Sequence, residues 1–439
     1  MSGARVAAWV ALAAAVAVAV ALVVLLVRDV VALGEALGAL VVVGAGGWLA
    51  LTRRGATRLL GIALVVAALA AGAVALVLRG AVDELVALAA SLAVFGAATR
   101  AALGRAAQQT TGPRVDAPQA GRGRFVLLLN PRSGGGKVER FDLVAEAKRR
   151  GIEPVLLEPG DDLVALAREG ARSAEVLGMA GGDGSQALVA QVASEHGLAY
   201  VCVPAGTRNH LALDLGLDRD DVVGALDAFA SGVERPVDLA FVNERIFVNN
   251  VSLGIYAEIV QSAAYRDAKL GTMKELLPDL LGPRTTPFDL RFRGSDGSEH
   301  RSAQLVLVSN NPYRLDRLGG MGSRARLDTG LLGIVTVEIG SAARAAELAA
   351  LEALGQVRRF PGWEEWTAER FEVTSAREIA AGIDGEAVTL QPPLRFRVAP
   401  GALRVRLPAT SVGLSPAALA PGLTRSGVRS LWQIAAGRS

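Results

Sequence analysis

The chain has 439 residues, enough for two or three domains, and 51% of them are hydrophobic while only 5% are aromatic. Its formal net charge of +3 at pH 7 is too small to indicate nucleic-acid binding. Cys202 is the single cysteine, so no disulfide can form within the chain, and its apolar surroundings predict a small core residue. The histidines, His196, His210 and His300, are scattered and give no zinc-ligand spacing.

The first 107 residues are strongly apolar. Four runs with few charges occupy 6–27, 30–51, 59–78 and 82–98. Runs of this length predict about four transmembrane helices, because a bilayer needs about 20 apolar residues. Arginines cluster before the first run, between the second and third, and after the fourth, so the positive-inside rule predicts a multi-pass protein of the plasma membrane whose remaining residues are cytoplasmic. A soluble Ala-rich domain is the alternative, but it would show a charged helical face.

Residues 108–123 combine Gln, Thr, Pro, Gly and Arg without periodicity, which predicts a linker. Over 124–232, short apolar runs alternate with helical patterns, which predicts an α/β lobe with a parallel sheet. Strand-like runs dominate from there, so 233–408 is predicted to form a mostly β lobe. Residues 409–439 are assigned to a C-terminal tail.

Three glycine-rich loops, 130–137, 181–185 and 204–209, each follow a predicted strand. Glycine lets backbone N–H groups approach a polyphosphate, and parallel sheets bind ligands where their strands end. The first loop is not a P-loop, because Pro131 stands at the first required glycine and Val138 follows the lysine. Three such loops together indicate an enzyme that uses a nucleotide.

Four motifs along residues 124–400 occur in the order and spacing of a known family. They are Asn130–Gly134, Gly181–Ser185, Pro204–Asn209 and Asp384–Glu386. Together they resemble the diacylglycerol kinase catalytic domain family, which includes bacterial lipid kinases and sphingosine kinases and is related more distantly to NAD kinases. The resemblance implies an α/β lobe that binds ATP with Mg²⁺, and a β-rich lobe that faces lipid and brings its last motif back to the cleft.

The resemblance also implies roles for individual residues. Asp183 is expected to organise the metal ion or a water, with a loop-capping role as the alternative. Glu386 stands at the family's position for the general base that accepts the proton of the lipid hydroxyl, a task that suits a carboxylate whose pKa is raised by burial. The residues expected to contact or enclose the nucleotide are Asn130, Pro131, Arg132, Ser133, Gly134, Gly181, Gly182, Gly184, Ser185, Gln186, Ala187, Thr207 and Asn209.

Three positions depart from the family pattern. Ser185 stands where threonine is frequent, and it keeps the hydroxyl. His210 stands where aspartate is frequent, which puts the role of that position in doubt. In 328–330, the neutral Thr329 falls where bacterial members carry a carboxylate near a structural Mg²⁺, so the metal ligands are left unassigned.

The expected function is a membrane-anchored lipid kinase that transfers the γ-phosphoryl group of ATP to a lipid hydroxyl, with diacylglycerol giving phosphatidic acid as the first choice. A kinase of sphingoid bases or other lipid alcohols is the first alternative, and a non-catalytic membrane sensor of lipid or nucleotide is the second. The expected partners are ATP, the membrane lipid substrate and the bilayer, without nucleic acid. The oligomeric state is left open, with a homodimer among the arrangements considered.

Overall fold

The structure is a computed structural model that describes residues 124–255, 288–301, 303–315 and 322–411, together with shorter stretches near both ends of the chain. Two helices are described in the N-terminal region, α1 (Gly3–Arg28) and α2 (Ala56–Leu78). They coincide with the first and third predicted apolar runs. In the second run, residues 38–39, 41–46 and 49 are described and are helical, and in the fourth run residues 90–98 are. The rest of these two runs lies outside the described residues.

The prediction of four transmembrane helices is corrected by this structure. Side chains are described only for residues 5–20 of α1 and for 56–57 and 59–71 of α2. Within the described part of the chain, no helix is long and apolar enough to cross a membrane, which takes about 20 apolar residues. The predicted location, a multi-pass plasma-membrane protein with a cytoplasmic catalytic region, is corrected with it.

Part of the apolar surface of α1 is covered by protein. Ala8 and Ala11 are fully buried in a cluster that includes Ala435 of the C-terminal tail. The rings of Trp9 and Trp432 meet edge to face with their centroids 6.1 Å apart. The helix and the tail therefore pack on each other, which gives these apolar residues a role in joining the two ends of the chain.

An α/β lobe follows. Its strands and helices, in chain order, are β1 (Val115–Asp116), β2 (Arg124–Leu129), α3 (Lys137–Arg140), α4 (Leu143–Arg149), β3 (Ile152–Leu156), α5 (Leu163–Ala171), β4 (Ala174–Ala180), α6 (Asp183–Glu195), β5 (Ala199–Val203) and α7 (His210–Asp214). Strands β3, β2, β4 and β5 are parallel neighbours in that order. Apolar clusters cover the sheet on both faces, which explains why β2 and β5 are almost continuously apolar.

The rest of the chain is mostly β. Its elements are β6 (Gly232–Val242), β7 (Arg245–Phe247), β8 (Asn250–Gly254), β9 (Phe292–Arg293), β10 (Glu299–His300), β11 (Leu305–Asn310), β12 (Tyr313–Arg314), β13 (Ser323–Arg324), β14 (Leu332–Val337), α8 (Ala342–Ala353), β15 (Trp363–Ala368), β16 (Arg370–Val373), β17 (Ile379–Ile383), β18 (Glu386–Leu390), β19 (Leu394–Pro408) and α9 (Pro416–Leu419). Six of these strands form an antiparallel sheet in the order β15-β14-β11-β8-β17-β18.

Strand β19 joins the two halves. It runs parallel to β5, with Arg404 opposite Ala199, and antiparallel to β6. The sheet of the α/β lobe is thereby extended in the order β3-β2-β4-β5-β19-β6-β1. A second apolar core, which includes Phe247, Val308 and Phe396, lies between this extension and the antiparallel sheet. The end of the chain therefore returns to the α/β lobe, and the two lobes share a packed boundary.

Candidate active site

The three glycine-rich loops meet where β2, β4 and β5 end. Gly134 is left-handed, with φ of 58°, and a Cβ there would lie 2.9 Å from the carbonyl oxygen of Gly206. A Cβ on Gly206 would in turn lie 2.5 Å from the Cα of Gly182. Such contacts leave no space for a side chain, so the loops pack backbone against backbone. They form one glycine-lined surface at the carboxyl edge of the parallel sheet, where such folds bind ligands.

The first loop is held by a hydrogen bond to the end of β4 and by others within the loop. The Asn130 N–H donates to the carbonyl of Ala180 at 2.9 Å, and its side-chain oxygen accepts from the Arg132 N–H at 3.1 Å. Lys137 then ties this loop to the third one, since its Nζ donates to the carbonyl of Pro204 at 3.4 Å. Arg132 is exposed at the surface of the loop. Pro131, Ser133 and Gly134 are half-buried.

The second loop leads into the amino end of α6. Gly182 is the N-cap residue in an extended conformation, and Gly184 and Ser185 are half-buried in the first turn. The first N–H groups of a helix have no partner within it, and the helix dipole adds partial positive charge there. This end of α6 is therefore suited to the phosphate groups of a nucleotide.

Two of the predicted nucleotide contacts face the protein core instead. Gln186 is 2% exposed, and its Nε2 donates to the carbonyls of Met179 and Val203, both at 3.0 Å. The Tyr200 hydroxyl donates to its Oε1. Ala187 is 3% exposed within the core. The Gln186 side chain thus holds the ends of β4 and β5 together, and it also donates to the carbonyl of Gly181 at 3.3 Å. Both side chains are buried beneath the glycine-lined surface.

Asp183 has the capping role that was the alternative to metal binding. Its carboxylate is buried and accepts the backbone N–H groups of His210 at 3.0 Å and Leu211 at 3.1 Å, the first two residues of α7. Among the residues that the structure describes, no group of three or more His, Cys, Asp or Glu could hold a metal ion.

The third loop is shaped by Asn209. This residue is left-handed, with φ of 52°, and its buried side chain accepts from the Gly206 N–H at 2.8 Å. Its amide nitrogen donates to the carbonyls of Pro204 and Gly206 at 3.0 and 2.9 Å. Thr207 is the exposed residue of the loop. Asn209 therefore supports the turn, and Thr207 is placed to contact a ligand.

The turn between β17 and β18 contains two left-handed residues, Asp384 with φ of 47° and Gly385 with φ of 88°. The Asp384 carboxylate accepts three backbone N–H groups, from Val248 at 2.9 Å, Asn249 at 2.8 Å and Asn250 at 3.1 Å. Burial of the carboxyl group raises its pKa to about 7, although these three donors oppose the shift, and the charge of Asp183 adds to it. Asp384 thus fixes the turn that precedes Glu386.

Glu386 lies against the second glycine-rich loop. A Cβ on Gly184 would lie 2.9 Å from the Cδ of Glu386, so the carboxyl group of Glu386 occupies the space next to this glycine. Its side chain is exposed. The structure therefore brings the last motif to the amino end of α6, beside the surface that the three loops form.

Part of this chain is similar in sequence to known lipid kinases. Residues 124–242 match the family described as the diacylglycerol kinase catalytic domain. The matched segment covers the α/β lobe from β2 onward and strand β6. A YegS-like lipid kinase of Cronobacter sakazakii is 29% identical over 299 residues, which are 64% of this chain and 95% of that protein. The diacylglycerol kinase of Bacillus subtilis is 25% identical over 285 residues, 60% of this chain and 89% of that protein.

The fold is also similar to that of solved structures. The crystal structure of a diacylglycerol kinase from Bacillus anthracis str. Sterne superimposes with a TM-score of 0.51 and 21% identity, over 65% of this chain and 96% of that one. At this identity the likeness shows the fold. It confirms the prediction of an α/β lobe followed by a mostly β lobe.

The side chains of Asp328 and Thr329, in the segment 328–330, have protein partners of their own. Asp328 accepts from Arg326 at 2.8 Å, and this pair holds the pKa of Asp328 below its usual value. The Thr329 hydroxyl donates to the side-chain oxygen of Asn311 at 2.5 Å. Burial lowers the pKa of His210, whose Nδ1 is buried without a hydrogen-bond partner in the described part of the chain.

Other residues complete the account. Cys202 is a buried core residue, as predicted, and its burial raises the pKa of the thiol. A surface cavity of about 760 Å³ lies beside β16 and the start of β19, and none of the predicted site residues lines it. The sequence analysis missed two fully buried charged residues, Asp214 and Arg324. Nothing in their local sequence indicated that they would pair.

Proposed function

We propose that the protein is an ATP-dependent kinase that phosphorylates a lipid hydroxyl, with diacylglycerol as substrate and phosphatidic acid as product. The observation that carries this proposal is the placement of the Glu386 carboxyl group beside Gly184, at the amino end of α6, where the three glycine-rich loops meet. A carboxylate beside a phosphate-binding surface is the arrangement that phosphoryl transfer to a hydroxyl requires.

The glycine-lined surface would hold the nucleotide. The backbone N–H groups at the start of α6 favour negative charge, and the close packing of the loops at Gly134, Gly182 and Gly206 holds the three loops together beside them. Because these donors belong to a helix and to packed loops, they are oriented before the reaction begins. Donors oriented in advance stabilise developing charge most effectively, since they need not reorganise. Bound Mg²⁺ would supply further neutralisation of the phosphate charge.

Glu386 would accept the proton of the lipid hydroxyl. Its side chain is exposed at the mouth of the site, so a hydroxyl group carried by a lipid can reach it. The preceding residue, Gly385, and the anchored Asp384 hold the backbone of this turn in place. A base fixed next to the phosphate site would remove the proton of the hydroxyl while that hydroxyl is oriented for phosphoryl transfer.

Labelled ATP tests the proposal directly. The full chain would be incubated with Mg²⁺, γ-labelled ATP and mixed micelles that carry diacylglycerol, monoacylglycerol, sphingosine, ceramide or undecaprenol, and the lipids separated by thin-layer chromatography. We expect label in phosphatidic acid. Label in another lipid would reassign the substrate, and nucleotide binding without label in any lipid would favour the sensor and contradict a kinase.

The variant Glu386→Gln supplies the matched control. It keeps the size of the side chain and removes the proton acceptor, so we expect label transfer to fall by about 100-fold or more while the affinity for a fluorescent ATP analogue stays the same. Near-normal transfer by this variant would remove Glu386 from the mechanism.

A further inference from the structure

A series of buried polar contacts connects the second glycine-rich loop, through α7, to Arg324 in the β-rich lobe. Asp183 begins α6 and caps the amino end of α7 through the N–H groups of His210 and Leu211. The other end of this short helix carries Asp214, which is 4% exposed. The position of Asp214 is therefore linked to the start of α6 through five residues of helix.

Asp214 pairs with Arg324 across the boundary between the two lobes. The Arg324 Nε donates to one carboxylate oxygen of Asp214 at 2.6 Å, and both side chains are essentially without solvent exposure. The other oxygen accepts from the Ser323 hydroxyl at 2.8 Å and from the Arg324 N–H at 3.1 Å. The guanidinium group also lies 5.2 Å from the centre of the Tyr313 ring. The pair is thus fully enclosed and well supplied with partners.

The remaining N–H groups of Arg324 hold the segment 248–250, which leads into β8. One terminal nitrogen donates to the carbonyls of Val248 at 2.5 Å and Asn310 at 2.8 Å. The other donates to the side-chain oxygen of Asn249 at 2.8 Å. The backbone N–H groups of this same segment bind Asp384. Arg324 and Asp384 therefore hold one piece of backbone from both sides.

We propose that Arg324 is a positioning residue of the reaction. Paired with Asp214, it fixes the segment 248–250, and through this segment it sets the place of Asp384 and hence of Glu386 beside Gly184. The series of contacts begins at Asp183, in the first turn of α6, and ends at Glu386, which lies beside Gly184 in the same turn. The inference rests on the proposed function, because it gives Arg324 a part in placing the base.

The chemistry of the pair supports positioning over simple stabilisation. Removing two charges from water costs about as much as their attraction returns, so hydrophobic residues of similar volume often stabilise a protein equally well. They cannot, however, supply the fork of N–H groups that reaches Val248, Asn249 and Asn310 at once. Lysine cannot supply it either, because its ammonium is a compact point charge.

The test replaces the pair in the full chain. The variant Asp214→Leu with Arg324→Met keeps the volume and leaves no buried charge alone. We expect kcat for lipid phosphorylation to fall by about 100-fold, as a displacement of about 1 Å at the base would cause, with the KM for ATP changed less than about threefold. An unchanged kcat in the folded variant would overturn the proposal.

A second buried ion pair offers a matched control. Arg406 donates to Glu234 at 2.7 Å and to the carbonyl of Phe229 at 3.3 Å, with both side chains at most 11% exposed. The variant Glu234→Leu with Arg406→Met removes a comparable pair between β6 and β19. We expect its kcat to stay within about threefold of the wild type. An equal loss of kcat in this control would show a general structural effect and overturn the proposal.

Replacing the Asp214–Arg324 pair in the Glu386→Gln variant tests whether the pair acts on the rate through Glu386. If the pair acts by placing the base, replacing it in a protein that lacks the base should lower the residual rate by less than about threefold. A further loss of about 100-fold in that background would overturn the proposal. Should the double replacement fail to fold, Arg324→Lys takes its place, with an expected loss in kcat of about 10-fold. A Lys variant with unchanged kcat would again overturn the proposal.

Hydrogen exchange tests the inference apart from lipid phosphorylation. In the pair variant, the amides of Val248, Asn249 and Asn250 should exchange at least about 10-fold faster, and in the Arg406 control they should not. If the wild type phosphorylates no lipid, the proposed function fails. The exchange result then still decides whether Arg324 holds this segment, and unchanged exchange would overturn the inference.

Discussion

Gly184 and Glu386 lie side by side although about 200 positions separate them in the sequence. A methyl group on Gly184 would approach the Cδ of Glu386 to 2.9 Å. The absence of a side chain at Gly184 is therefore what lets a carboxyl group from the β-rich lobe reach the amino end of α6. Gly184 also belongs to the second glycine-rich loop, which would face the phosphates in the proposed function.

This contact predicts that Gly184→Ala separates activity from stability. Alanine favours a helix by about 1 kcal/mol over glycine, and Gly184 has ordinary helical geometry, so the free energy of unfolding should stay equal or rise. The added methyl would push Glu386 away, and we expect kcat to fall by about 10- to 100-fold. Steady-state kinetics and denaturant unfolding measure the two effects.

Gly340→Ala is the control for this variant, because nothing lies within 4 Å of the position where its Cβ would be. It should leave kcat unchanged. A Gly184→Ala protein with wild-type kcat would show that Glu386 can move aside at no cost, which contradicts its placement as the base.

The parallel sheet could be predicted from the sequence because buried strands leave a local signature. Strands β2, β4 and β5 are short apolar runs that end in glycine or proline, and each was recognised from those features. The loops that follow them were found for the same reason. The general position of the site needed no more than this, since parallel strands place their carboxyl ends at one edge.

The remaining features depend on contacts between distant parts of the chain. Gln186 was predicted to bind nucleotide, but a polar residue early in a helix can equally bond the strand ends beside it. Arg324 is buried together with Asp214, which lies about 110 positions earlier, and no local pattern in the sequence indicates such a distant partner. The apolar N-terminal runs predicted helices correctly for α1 and α2, but apolar composition alone did not establish membrane spans.

The third loop predicts different effects for two neighbouring residues. A methyl on Gly206 would lie 2.5 Å from the Cα of Gly182 and 2.7 Å from Oδ1 of Asn209, so Gly206→Ala should cost about 1–3 kcal/mol of stability and weaken nucleotide binding. Thr207→Ala removes an exposed hydroxyl and should change stability by less than about 0.5 kcal/mol. Denaturant unfolding and titration with a fluorescent ATP analogue compare them, and equal stability of the two variants would contradict the close packing of the loops.

Gln186→Leu tests whether this residue supports the fold. The substitution keeps the size of the side chain but removes the donor to the carbonyls of Met179, Gly181 and Val203 and the side-chain acceptor of the Tyr200 hydroxyl. We expect a loss of about 2–4 kcal/mol in the free energy of unfolding, while the KM for ATP of the folded enzyme changes less than about threefold. A large rise in KM with unchanged stability would instead make Gln186 a nucleotide ligand.

Asp384 predicts a component of stability that depends on pH. Burial raises the pKa of its carboxyl group to about 7, above the value of about 4 that an unfolded chain has. The folded protein therefore keeps a proton that the unfolded chain releases, so this group's contribution to stability is fully present below pH 4 and is lost as the pH rises to about 7. Asp384→Asn removes the titration, so the wild type should lose stability relative to this variant as the pH rises from about 4 to about 7. Denaturant unfolding of both proteins at several pH values measures the difference, and parallel profiles would show that the three backbone donors keep the carboxylate ionised throughout.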